Sequence, residues 1–167
     1  IWNEQDETVA QGEEGQIVAK GPQVMKGYWN RPQATQEAIV NGYFKTGDIG
    51  KILENGNIKI VDRLKDMIIV SGFNVYPNEV EDTLTRHPNI IEAAVVAQPH
   101  IKTGECVCAF LQVNSELSEQ EVIDFCKETL TPYKVPKKVF FMDALPKSSV
   151  GKILRKDLRV PELVKAL

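Results

Sequence analysis

The stretch DRLKDMIIVSGFNVYPNEVED, residues 62–82, decides how this chain is expected to fold. It opens with four charges in five residues, and the apolar run 67–70 follows and ends at Ser71-Gly72. This order predicts a polar joint, a buried strand and a turn. A helical pattern then begins, with Val80 and Leu84 on one face. The stretch therefore divides the chain into a part before it and a part after it.

The residues before this stretch predict a small β-rich unit. A short strand is expected at residues 16–19, and a short helix capped by Asn30 should follow it. Two apolar runs, 49–53 and 58–61, flank the sequence Glu-Asn-Gly-Asn, which is typical of a tight hairpin. We expect these pieces to form one small sheet.

The residues after the stretch predict helices interleaved with strands. Apolar periodicity favours helices over 78–87 and 119–130, strands over 91–97, 106–113 and 139–142, and a short helix at the end. Ser118 and Glu121 form a capping-box pattern before the second helix. The predicted fold class is α+β, with a β-rich subdomain at residues 1–63 and a compact α+β domain with a small mixed sheet at residues 64–167.

Charge is unevenly placed along the 167 residues, although the net charge is only −3. From Leu130 to the end, nine Lys and Arg against three Asp and Glu give +6. Such an end suits phosphates or an anionic surface, while a solvated basic face is the simpler interpretation. No apolar run approaches the roughly 20 residues needed to span a bilayer, so any membrane contact should be peripheral.

Three cysteines, Cys106, Cys108 and Cys126, favour a reducing compartment. On a strand, Cys106 and Cys108 would share one face as small apolar packing residues rather than form a bridge. With no second cysteine pair and no clustered histidines, no metal site is expected. We therefore predict a cytoplasmic protein, and peripheral contact with the inner face of the membrane stays open.

Two motifs suit the binding of a nucleotide. In NGYFKTGD, residues 41–48, Asp48 follows a glycine turn, and its carboxylate can accept two hydrogen bonds from the paired hydroxyls of a ribose. In DRLKD, residues 62–66, Arg63 offers a planar guanidinium to ribose or phosphate oxygens. Taken alone, the first is more often a structural turn and the second an exposed charged linker.

Two further motifs suit group transfer. In LPKSSVGKILR, residues 145–155, Lys152 supplies a compact cation that can neutralise two anionic reactants at once. In VSGF, residues 70–73, Gly72 permits close approach of a ligand to the backbone. A surface lysine or a turn glycine alone usually has no such role, so the joint occurrence of these motifs favours function.

Together and in this order, the motifs resemble those of the adenylate-forming acyl-CoA synthetases, and SGFNVYPNEVED is most similar to bacterial long-chain fatty-acid–CoA ligases. The resemblance covers essentially the whole chain and implies the C-terminal part of a longer enzyme. Such an enzyme activates a fatty acid with ATP to acyl-AMP and transfers the acyl group to coenzyme A.

The resemblance also implies a role for each motif. Asp48 and Arg63 would contact the ribose of ATP or AMP, and Lys152 would be the catalytic lysine of adenylation. Gly72 would line the channel for the pantetheine arm of coenzyme A. Lys65 would be the hinge about which a mobile C-terminal lid turns. Mg²⁺ would be bound by the N-terminal domain of the same chain, so this segment alone is expected to be inactive, and nucleic acid is not an expected partner.

Two alternatives remain open at this point. The acyl-adenylate could pass to the phosphopantetheine of a carrier protein instead of free coenzyme A. The segment could also be a non-catalytic module whose basic end docks on a membrane or a partner protein.

Overall fold

The computed structural model describes residues 1–159, which divide into two compact units. The first unit is Ile1–Lys65, and the second begins at Asp66. Glu162 and Lys165 of the basic end, and any helix formed there, lie outside the described residues.

The first unit is a four-stranded antiparallel sheet with one short helix. Its elements are β1 Gly15–Ala19, α1 Pro32–Ala38, β2 Ile39–Val40, β3 Tyr43–Ile52 and β4 Ile58–Arg63. The long strand β3 is central, since β1, β2 and β4 all pair with it. Between β3 and β4 the predicted turn is confirmed, with Leu53 N donating to the Asn57 carbonyl at 2.8 Å.

The prediction that Asn30 caps α1 is wrong. The N-cap position is Arg31, and no side chain caps the helix there. Asn30 has a φ of 52°, a left-handed conformation that asparagine tolerates better than most residues. The chain therefore uses Asn30 to turn and enters the helix one residue later, with Pro32 in the first turn, where its missing N–H costs nothing.

Over its described residues, 66–159, the second unit is a mixed five-stranded sheet with two α-helices. A 3-10 helix, Leu64–Asp66, leads into β5 Ile68–Val70, β6 Phe73–Val75, α2 Pro77–Leu84, β7 Ile90–His100, β8 Gly104–Val113, α3 Glu119–Lys127, β9 Lys138–Phe141 and a 3-10 helix Arg155–Leu158. The strand order is β6-β5-β8-β7, and β9 pairs with β8 in parallel. The predicted α+β class is confirmed.

Alternation along β7 and β8 sends side chains to two packed layers. On one face, Val95 and Leu111 pack with Val80 of α2 and Val122 of α3. On the other face, a second cluster consists of Ala94, Val96, Cys106, Cys108, Phe110, Leu145 and Leu158. The helices thus cover one face of the sheet, and the segment after β9 covers the other. The predicted placement of Cys106 and Cys108 on one buried face is confirmed, and all three cysteines are free.

Two local signals specify how α3 begins. Ser118 Oγ accepts a hydrogen bond from Glu121 N at 3.2 Å, and Glu121 Oε2 accepts one from Ser118 N at 2.8 Å. This is the predicted capping box, which satisfies two N–H groups that the helix itself leaves unpaired. Among residues 1–159, no helix is long and apolar enough to cross a bilayer.

Candidate functional site

Asp48 and Arg63 lie opposite each other on β3 and β4. They are register partners, and Arg63 Nε is 3.3 Å from Asp48 Oδ1. The side chains remain 31% and 57% exposed, so both can reach a ligand. The hairpin thus places a carboxylate acceptor beside guanidinium donors, a combination that fits the hydroxyls of a ribose.

The predicted glycine turn before Asp48 is wrong, because Thr46, Gly47 and Asp48 lie within β3, where its pairing with β1 is irregular. Thr46 orients this part of β3. Its hydroxyl donates to the Ile17 carbonyl at 2.8 Å and accepts from Asp48 N at 3.1 Å. Gly47 has a φ of 79°, which allows the chain to bend between the two residues. The sequence motif indicated no role for Thr46. In the structure its hydrogen bond to Ile17 connects the motif to β1.

Gly72 lies in the turn between β5 and β6. Ser71 and Gly72 have φ values of 51° and 84°, the left-handed pair that a tight hairpin turn of this kind requires. Ser71 N donates to the Thr103 carbonyl at 3.0 Å, which fixes the turn beside the one that joins β7 and β8. Apart from its two chain neighbours, no residue has an atom within 4 Å of the place where a Cβ on Gly72 would stand. The turn therefore presents open backbone to a ligand.

Lys152 lies in a loop closed by its own main chain. Ser148 N donates to the Lys152 carbonyl at 2.8 Å, Lys152 N donates to Ser148 Oγ at 3.1 Å, and Leu154 N donates to the Pro146 carbonyl at 2.8 Å. Leu145 is buried before the loop, and Ile153 packs on the same cluster after it. Lys152 itself is exposed. The loop is thus anchored at both ends and exposes the lysine between them.

Lys65 lies in the 3-10 helix at the end of the first unit and is exposed. The next residue, Asp66, is only 8% exposed and accepts a hydrogen bond from Arg159 Nη2 at 2.8 Å. The joint therefore contains an exposed residue directly before one that is fixed to the second unit.

Apart from Lys65 in the joint, the predicted residues lie at three places. Asp48 and Arg63 are together in the first unit, whereas Gly72 and Lys152 are apart in the second. The Gly72 turn is attached near His100 at one end of β7, because Val70 pairs with Gly104, the register partner of His100. The Lys152 loop is attached near the other end, where Lys147 Nζ is 2.6 Å from Glu92 Oε1. Eight residues of strand separate these points, roughly 26 Å at about 3.3 Å per residue.

The first unit also has an open groove of about 490 Å³. Its walls include Lys26, Tyr28, Trp29 and Thr35. None of the five predicted residues lines it. The groove is therefore separate from the candidate site.

Two residues that the sequence did not single out are Glu81 of α2 and Arg155. Arg155 stands in the quoted LPKSSVGKILR motif, but its partner is 74 positions away, and nothing in the pattern of charges indicates the pairing. Arg155 Nη2 donates to Glu81 Oε2 at 2.7 Å. The contact connects the segment that carries Lys152 to α2.

Residues 79–152 match the family described as the AMP-binding enzyme C-terminal domain. The chain is 52% identical over 160 residues to a long-chain-fatty-acid–CoA ligase of Escherichia coli O6:H1, a match that covers 95% of this chain and 28% of that protein. It is 45% identical over 146 residues to a 2-succinylbenzoate–CoA ligase of Bacillus cereus, covering 87% of this chain and 30% of that protein.

Among solved structures, the chain is similar to ATP-bound MatB from Rhodopseudomonas palustris. The TM-score is 0.91 at 37% identity, and the match covers 99% of this chain and 33% of that one. The chain thus spans about a third or less of the length of the proteins that it resembles.

Proposed function

Because residues 79–152 match the AMP-binding enzyme C-terminal domain family, we propose that this chain is the C-terminal segment of a long-chain fatty-acid–CoA ligase. The observation that carries the proposal is the similarity to the Escherichia coli ligase, which extends over 95% of the chain and so includes both units. Residues 1–63 are then the β-rich end of the large N-terminal domain, and residues 64–167 are the mobile lid. The division of the main chain after Lys65 supports these boundaries.

In the first half-reaction, a carboxylate oxygen of the fatty acid attacks the α-phosphorus of ATP. The bond to the pyrophosphate oxygen breaks, and pyrophosphate leaves with the electron pair to give acyl-AMP. Both reactants are anionic, so the ammonium of Lys152 lowers their repulsion and stabilises the charge that develops on pyrophosphate. A preorganised donor of this kind is worth roughly 3 kcal/mol in the transition state. Asp48 and Arg63 hold the ribose, which fixes the position of the α-phosphorus.

In the second half-reaction, the thiol of coenzyme A attacks the acyl carbonyl, AMP leaves and the thiol proton passes to solvent. Gly72 lines the path of the pantetheine arm. The separation of the Gly72 turn from the Lys152 loop supports a movement of the lid between the two steps. In a single orientation, the lid cannot place both ends of its sheet at the same active site. Lys65 is the hinge of that rotation.

Magnesium is the remaining requirement of such a reaction. Residues 1–159 hold no group of three or more His, Cys, Asp and Glu side chains that could bind a metal ion. We propose that the N-terminal part of the ligase binds Mg²⁺, as the resemblance implies.

The proposal is tested with the full-length ligase, ATP, magnesium and saturated fatty acids from short to long, with coenzyme A and a carrier protein offered in parallel. We expect thioester with long acids and free coenzyme A. Thioester on the carrier protein alone would overturn the assignment of coenzyme A. Adenylation retained in Lys152→Ala would remove Lys152 from the mechanism.

A further inference from the structure

Lys152 depends on its loop for its position. The hydrogen bonds that close the loop are all local, between residues 146 and 154. Within the described residues, the Lys152 ammonium makes no hydrogen bond and no ion pair. The position of the Lys152 ammonium relative to the rest of the lid therefore depends on the contacts that fix the two ends of the loop.

The C-terminal end of the loop is fixed by Arg155. Its Nη2 donates to Glu81 Oε2 at 2.7 Å and Oε1 at 2.9 Å, its Nε donates to Oε1 at 3.2 Å, and Nη2 also donates to Asn78 Oδ1 at 3.0 Å. The side chains of Arg155 and Glu81 are only 24% and 15% exposed. A partly buried, forked guanidinium–carboxylate contact restricts both distance and orientation.

Glu81 also holds the edge of the sheet. Its Oε1 accepts a hydrogen bond from Val95 N at 2.8 Å, and β7 is the last strand in the order β6-β5-β8-β7. One carboxylate thus joins α2, which packs on one face of the sheet, to the segment after β9, which packs on the other. This contact fixes the loop against both layers of the lid.

The N-terminal end of the loop has a weaker attachment. Lys147 contacts Glu92 through one nitrogen at 2.6 Å, and the two side chains are 39% and 30% exposed. A single contact between partly exposed side chains restricts position less than a forked, more deeply buried one. Arg155 is therefore the principal polar anchor of the loop.

We propose that Arg155, through its forked contact with Glu81, is a positioning residue that holds Lys152 where adenylation requires it. The inference rests on the proposed function, because it presupposes that Lys152 acts in adenylation. The distance from Arg155 to Lys152 is only three residues along the chain, so a shift of the arginine moves the lysine with it. Misplacement of a catalytic group by about 1 Å costs about 100-fold in rate.

The test uses the full-length ligase and follows the half-reactions separately, as pyrophosphate release from ATP and fatty acid and as thioester formation from supplied acyl-adenylate. Arg155→Met should lower the rate of the first about 100-fold and leave the second unchanged. Arg155→Lys, which keeps the charge but loses the fork, should restore part of the loss. Equal loss in both half-reactions would mean a general defect of the lid and would overturn the proposal.

A second ion pair of α2, between Glu79 and Lys134, provides a matched control. Glu79 of α2 pairs with Lys134 at 2.7 Å, with side chains 41% and 18% exposed, and does not contact the loop. Lys134→Met should leave pyrophosphate release unchanged, and a loss as large as that of Arg155→Met would contradict the inference. The two proposals can fail separately. If Lys152→Ala retains adenylation, the proposed function is wrong. If Lys152→Ala loses adenylation but Arg155→Met is normal, only the positioning role of Arg155 is wrong.

Discussion

Arg63 Nε lies 3.3 Å from Asp48 Oδ1, and the two residues face each other across β3 and β4. Since the arginine side chain is 57% exposed, the ion pair itself adds little to stability. Its effect is geometric, because each side chain limits the orientations open to the other. A ligand that binds here meets an acceptor and donors that are already arranged.

Removing this acceptor should weaken binding of ATP without weakening the fold. We expect Asp48→Ala in the full-length ligase to raise KM for ATP roughly 10- to 150-fold, the equivalent of about 1.5–3 kcal/mol for a charge-assisted hydrogen bond. KM is measured at saturating fatty acid and coenzyme A. The matched control is Lys51→Met, which removes the comparable ion pair from Lys51 of β3 to Glu14 at 3.5 Å. An equal rise in KM for both variants would contradict the ribose assignment.

Enlarging Gly72 should separate the two half-reactions. Gly72→Leu places a branched side chain in the open space beside the turn and should block thioester formation while acyl-adenylate still forms. The positive φ of 84° strains any side chain at this position, so Gly72→Ala is the control for strain without bulk. We expect the alanine variant to retain most thioester formation. Normal thioester formation in the leucine variant would rule out a channel here.

Much of the fold could be predicted because its signals are local. The apolar run before Ser71-Gly72 specifies β5 and the turn, and Ser118 with Glu121 specifies the start of α3. The pairing of Asp48 with Arg63 follows only in part from a local signal. The Asn55-Gly56 turn closes the hairpin, but the register shifts between Ile49 and Gly50, and without this shift Asp48 would face Asp62. Asparagine is suited both to a helix cap and to a left-handed turn. At Asn30 the structure has the left-handed conformation, and the residue does not cap the helix.

The long-range contacts that fix the second unit could not be predicted in this way. Arg155 and Glu81 are 74 residues apart, and Arg159 and Asp66 are 93 apart. Each is one charge among many, and a surface charge carries no periodic signal of its partner. Only the packing of the segment after β9 on the sheet, through Leu145 and Leu158, brings these pairs together.

Restricting the joint should affect the two half-reactions unequally. Lys65→Pro in the full-length ligase removes an N–H and fixes φ near −65°. If the joint must adopt two conformations, proline can favour only one, so one half-reaction should lose far more rate than the other. Lys65→Ala, which removes the charge and keeps torsional freedom, should leave the ratio of the two rates near that of the unmodified enzyme. Equal loss of both rates in the proline variant would argue against a hinge at this position.

Cys126 should resist alkylation in the folded chain and should react faster as pH rises. Burial in the core beside Val122 disfavours the thiolate and raises the pKa of Cys126 from 9.0 to about 11. At pH 8 roughly one thiol in a thousand is then ionised, against about one in ten for an unperturbed thiol, and burial also limits access of the reagent. Iodoacetamide labelling, read on the Cys126 peptide by mass spectrometry, should therefore be at least about 100-fold slower in the native chain than in urea. Because the folded pKa is raised, the native rate should keep increasing with pH beyond 9, where the rate in urea levels off. Equal rates at pH 8 in the native and urea-unfolded samples would show that α3 does not bury this thiol.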